Sequence, residues 1–195
     1  MKYGIPYNRI WIFPKLDTTC RFRDSWQFDS LQPKPRFCGI LLSMQVTLAH
    51  IGARAGLKDG YEVLIAGYLK RCAGVIRCGV EAFRNEGALL DWLGKQRGRT
   101  EAAVLMLDPR GRQMTSESLA EWLGKRRDEG LQHVVFAVGP ADGWSAEALA
   151  EGKRRGGLLS LGSMTLAHQL ARLVVAEQLY RACTILTGHP YHTGH

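Results

Sequence analysis

Three short stretches of the chain carry residue types that build ligand-binding turns: Asp108-Pro109-Arg110-Gly111, Gly139-Pro140-Ala141-Asp142-Gly143 and Gly162-Ser163-Met164-Thr165. Each sets glycine, which permits close backbone approach, beside apolar side chains and main-chain amides. None is a phosphate-cradling P-loop. None has the G-x-G-x-x-G pattern of a dinucleotide fold with an acidic residue further on, so nucleoside triphosphate and dinucleotide chemistry have little support. Without a run of amides at a helix N-terminus to hold a pyrophosphate, turns of this kind suit a nucleoside-like ligand that lacks phosphates. Taken one at a time, however, each is also an ordinary turn.

The side chains able to move protons or hold a substrate cluster toward the C-terminus. His168 and Arg172 stand one helical turn apart, and Tyr191 and His192 lie close to the end. An imidazole titrates near neutrality, so either histidine can accept or relay a proton. A packed or capping role for His168 is the plainer alternative. His189, His192 and His195 do not form a convincing metal set, because Pro190 breaks any helical register between them, and no metal is expected. Glu177 and Arg181 have the spacing of an ion pair on a helix.

The elements that must position these residues follow from the hydrophobic periodicity. Strands are expected at Val46–Ile51, Val75–Cys78, Ala102–Leu107, Val134–Val138 and Leu158–Leu161. Helices are expected at Leu57–Cys72, with Leu57, Leu64 and Leu69 on one side, and at Asn85–Arg97. Three more follow: Ser116–Glu129, capped by Ser116 and stopped by Gly130; a short helix from Ser145 to Lys153; and Ala167–Leu186, apolar nearly all round and so deeply buried. Strict alternation of strand and helix predicts an α/β fold with a mostly parallel sheet sandwiched by helices. In such a sheet ligands gather at the carboxyl ends of the strands, which is where all three turns fall.

Bulk properties bound the partners. The 195 residues are 46% hydrophobic and carry a formal charge of +8, which favours a globular domain with an anionic partner. The clusters Lys125-Arg126-Arg127 and Lys153-Arg154-Arg155 can touch RNA phosphates or can be solvated helix ends. Cys20, Cys38, Cys72, Cys78 and Cys183 are odd in number and include no C-x-x-C, as expected of free thiols in the cytoplasm. The apolar stretch Leu158–Leu186 is interrupted by His168, Arg172, Glu177 and Arg181, so no membrane span is expected. Residues 1–43 differ in character. They are rich in proline, lack either hydrophobic period, and hold seven Lys/Arg against three Asp, a charge of +4. We expect the folded domain to begin at Met44, with residues 1–43 an extension that reflects an upstream start codon; a natural extension that binds RNA or a partner is the alternative.

The phrases LDPRG, FAVGPADG, LLSLGSMTLAHQLARLVVAEQLYRA and GHPYH, in this order and spacing, resemble the ribosomal large-subunit pseudouridine N3-methyltransferase family of the SPOUT superfamily (RlmH type). QVTLAHIGA and YLKR extend the likeness, which covers Met44 to His195. The resemblance implies a C-terminal deep trefoil knot, an exception to the rule that chains do not thread their own loops. It also implies a homodimer, S-adenosylmethionine as cofactor, and methyl transfer to N3 of a pseudouridine in 23S rRNA of the assembled ribosome. By the same resemblance the cofactor contacts are Leu107, Gly139, Leu161, Gly162, Ser163, Met164, Thr165 and Leu166. Tyr191, His192, His168 and Arg172 handle substrate. Pro140, Ala167 and Thr193 depart from the family's usual glycine, proline and basic residue; Pro140 removes an amide donor beside the cofactor. A non-catalytic RNA-binding relative, or a methyltransferase acting on another RNA, are the alternatives.

Overall fold

In a computed structural model, residues 44–53, 56, 59–96 and 100–189 are described. The order of elements is β1 (Gln45–Ile51), α1 (Gly60–Cys72), β2 (Arg77–Phe83), α2 (Glu86–Lys95), β3 (Ala103–Gln113), α3 (Ser116–Asp128), β4 (His133–Val138), α4 (Ala146–Arg155), β5 (Gly157–Ser160) and α5 (His168–Leu186). The strands form one sheet in the order β2-β1-β4-β3-β5, and every pairing is parallel. This is the expected α/β sandwich.

Side-chain alternation along the strands divides the core between two layers. Val46, Leu48, Leu105, Val134 and Phe136 point to the face covered by α1, α3 and α5. Ala49, Val104, Met106, Val135 and Ala137 point to the face covered by α2 and α4. Among the described residues no helix is long and apolar enough to cross a membrane.

Several elements differ from expectation. Strand β2 runs Arg77–Phe83 rather than Val75–Cys78, because it pairs with β1 along Gln45–Ile51. Helix α1 begins at Gly60, because the Asp59 carboxylate accepts the amides of Tyr61 and Glu62 and caps it there. Its buried face is Ile65, Leu69 and Cys72, whereas Leu64 is 53% exposed, and Leu57 lies outside the described residues. Thr115, one residue before the expected Ser116, caps α3 through the Ser118 amide. Strand β3 runs past Leu107 to Gln113. Leu107 and Arg112 both register with Leu159, so Asp108–Gly111 form an irregular excursion between two paired segments rather than a terminal turn. Helix α5 buries a stripe of Ala171, Val175, Leu179 and Ala182 but leaves Leu170 37% exposed, so it is not buried all round.

Candidate active site

The carboxyl ends of β3, β4 and β5 converge on a cavity of about 400 Å³. Leu107, Asp108 and Pro109 enter from β3, Val138 through Ala141 with Gly143 and Trp144 from β4, and Leu159 through Leu166, Ser163 excepted, from the β5 loop; His168 and Ala171 close it from α5. Two hollows of similar size exist elsewhere. One of about 480 Å³ lies beside the start of α3 and shares Leu159–Gly162 with the first. One of about 500 Å³ sits at the amino ends of the strands among Glu101, Arg126, Arg154 and Arg155. The carboxyl-end cavity is the one that parallel-sheet geometry favours.

Its walls are held by few but specific contacts. The Trp144 indole N–H donates to the Leu107 carbonyl over 2.9 Å, tying the β4 loop to the end of the first β3 segment. Gly139 packs flat against that indole, for a Cβ there would stand 2.7 Å from its ring. Pro140 lacks an amide, yet its carbonyl accepts the N–H of Gly143, which turns at a φ of +84° open to glycine. In the β5 loop the Ser160 hydroxyl donates to the Gly162 carbonyl and accepts the Gly162 amide, with Gly162 at a φ of +127°. Asp108 is buried, and its carboxylate takes a two-pronged grip from Arg110 over 2.8 Å plus the Arg110 amide. That guanidinium, first of all, holds the Asp108 carboxyl below the usual range.

Of the residues expected at the cofactor, Leu107, Gly139, Leu161, Gly162, Met164, Thr165 and Leu166 line this one cavity. Ser163 sits exposed within the same loop without lining it. Met164 is 80% exposed at the mouth. Tyr191 and His192 lie outside the described residues. His168 lines the cavity, and its pKa is lowered by burial and secondarily by Arg172. Arg172 does not line it. That arginine is only 1% exposed, lies 2.6 Å from Glu62 of α1, and donates to the Gln169 side chain. The Glu177–Arg181 pair forms at 3.0 Å. Arg126, Arg127, Arg154 and Arg155 are engaged with Glu129, Asp128, Glu101 and Glu151.

One neighbour escaped the sequence reading. His50, at the carboxyl end of β1, is buried and meets His168 edge-on, with ring centroids 5.6 Å apart. The available signal was its parity with Val46 and Leu48, which places it on an inward face.

The cavity fits a nucleoside-like group. Its walls are mostly apolar and its volume is within the small-ligand range. Among the described residues no group of three His, Cys, Asp or Glu is placed to hold a metal ion.

Comparison with known proteins bears on the family of the chain. A family model described as predicted SPOUT methyltransferase matches residues 44–192. The ribosomal RNA large subunit methyltransferase H of Koribacter versatilis (strain Ellin345) is 47% identical over 138 residues, covering 71% of this chain and 92% of that protein. A protein of the same name from Brucella anthropi is 46% identical over 91 residues, which are 47% of this chain and 55% of the relative, so this chain spans about half of that relative. Among solved structures, the putative methyltransferase Lpg2936 from Legionella pneumophila, in complex with the bound cofactor SAM, aligns over 73% of this chain and 67% of its own. Its identity of 15% and TM-score of 0.39 transfer no residue role. By the match over residues 44–192 and the identity with the Koribacter protein, the chain belongs to the SPOUT methyltransferase family.

Proposed function

We propose that residues 44–195 transfer a methyl group from S-adenosylmethionine to N3 of a pseudouridine in 23S rRNA of the assembled ribosome, in the cytoplasm and as a homodimer. The observation that carries this reading is the joint cavity of Leu107, Gly139 and Met164, formed by three loops far apart in sequence. The printed name of the relatives, ribosomal RNA large subunit methyltransferase H, supports the substrate class.

When bound, S-adenosylmethionine supplies an electrophilic methyl group on a sulfonium sulfur. The residues of the chain orient and shield. Leu107, Leu161 and Leu166 exclude water, and Met164 caps the mouth. As the acceptor nitrogen bonds the methyl carbon, its proton has to leave. His168, lining the cavity and biased toward the neutral form, is placed to take it, with Tyr191 and His192 of the tail engaging the RNA.

Threading of the chain is part of the proposal. A Cβ on Gly111 would stand 2.6 Å from the Leu158 and Leu159 backbone, so two main chains lie there in contact. The dimer reading is supported by Tyr61 and Leu64, large apolar residues exposed about one turn apart on α1.

The test is incubation of the protein with tritiated S-adenosylmethionine and ribosomes lacking the modification, followed by mass spectrometry of rRNA nucleosides. Label in N3-methylpseudouridine is the expected result. Absence of transfer, or label in another nucleoside, overturns the reading.

A further inference from the structure

His168 is the first residue of α5, and its N-cap, Ala167, makes no side-chain capping bond. A constraint on the His168 ring comes from elsewhere in the fold. It comes from β1. Strand β1 pairs with β4 so that His50 lies beside Val138, the residue before Gly139, and the His50 side chain rises toward the face on which α5 packs. His50 is 2% exposed and stands against His168 at 5.6 Å between centroids, with the planes inclined at 62°. Gly52 completes the seat. At a φ of +144° it brings bare backbone up to both rings, and a Cβ there would lie 3.8 Å from His50 Nδ1 and 3.9 Å from His168 Cε1. Such edge-to-face contacts are directional and prefer one mutual ring orientation.

We propose that His50 is a positioning residue for methyl transfer: its buried ring backs the His168 imidazole and fixes the orientation in which that imidazole meets the acceptor in the cavity. The proposal rests on the reading of the cavity as a methyl-transfer site. In the step concerned, the acceptor N–H bond breaks and its electron pair would form the bond to the methyl carbon as the methyl–sulfur bond of the donor breaks, that pair staying on sulfur as a neutral thioether, while the proton passes to neutral His168 and then to solvent. The charged and titratable groups around His168 are His50 from β1, Arg172 on α5 with Glu62 from α1 behind it, and Asp108, tied to Arg110, on the β3 wall of the same cavity. Burial, and then Arg172, lower the His168 pKa, so the ring is free to accept a proton at neutral pH. Removing the His50 ring lets water reach His168. Its pKa then rises toward the ordinary value of about 6.5.

The experiment compares His50→Ala and His50→Phe with the wild type, in the full chain, by methyl transfer to ribosomes across pH and by NMR titration of the His168 ring. For His50→Ala we expect kcat to fall on the order of tenfold with KM for S-adenosylmethionine little changed, as misorientation predicts. The acid limb of the kcat profile and the His168 titration should both move to higher pH. His50→Phe, which keeps a ring in the seat, should recover most of kcat and leave the titration in place. An unchanged rate and titration in His50→Ala overturns the proposal, and so does equal damage by Ala and Phe in folded protein. Should the wild type transfer no methyl group, the functional reading fails by itself. The titration then still decides whether His50 positions His168: movement in His50→Ala alone upholds the contact, and no movement refutes it.

Discussion

Arg172 and Glu62 show how much a single buried charge can weigh. A guanidinium 1% exposed, with Nε and Nη2 lacking hydrogen-bond partners among the described residues, depends on Glu62 at 2.6 Å and on Gln169. Glu62→Ala should therefore destabilise the protein by on the order of 3 kcal/mol in denaturant titration, because it strands the charge. Adding Arg172→Met should recover most of that loss, since an apolar side chain needs no counterion. None of this was legible in the sequence, where Arg172, one turn from His168, reads as a substrate contact and Glu62 is remote from it. The cavity loops were legible, because Gly139, Gly143 and Gly162 are glycines at positions whose space or φ demands them. His50 was hidden among the residues of a strand and showed itself only when α5 brought His168 to it.

At the scale of elements, periodicity located all five strands and five helices, and it erred where capping or pairing overrides local pattern. Adjacent hydroxyls at Thr115 and Ser116 make either a reasonable cap, and only the Ser118 amide distinguishes them. Leu64 matched the apolar face of α1 in sequence, but Ile65, Leu69 and Cys72 set the face that packs. The Asp108–Gly111 segment has turn composition, yet β3 resumes beyond it because Arg112 and Gln113 pair with β5. That resumption forces main chain against main chain at Gly111. Gly111→Ala would put a methyl group 2.6 Å from the backbone of Leu158 and Leu159, with no flexible side chain to yield. We predict a loss of about 4 kcal/mol or more, or failure to accumulate folded protein, measured by chemical denaturation.

At the scale of the molecule, the alternation of strand and helix revealed a parallel sandwich, but the strand order β2-β1-β4-β3-β5 depends on crossovers that no local pattern encodes. The titration of the whole fold follows from its buried groups. Burial lowers the pKa of His133, which is hydrogen-bonded to Thr47, and burial with Arg172 lowers that of His168. Unfolded chains thus bind protons that the folded state refuses, so stability should decline as pH falls below about 6.5. A second decline should follow below about pH 4, as Asp108 and Glu151, both held low by arginines, become protonated. Thermal melts against pH should resolve both, and His133→Gln should flatten the first. Leu64→Glu, at an exposed apolar position of α1, should shift sedimentation of the proposed dimer toward monomer while leaving the monomer folded. The central claim, that three distant loops form one seat for S-adenosylmethionine, is tested most directly by equilibrium dialysis of the labelled compound against the wild type and Gly139→Ala. The predicted result is saturable binding of about one molecule per chain, weakened at least about tenfold in Gly139→Ala, where the new methyl group collides with Trp144. No saturable binding to the wild type, or equal binding to both proteins, would contradict it.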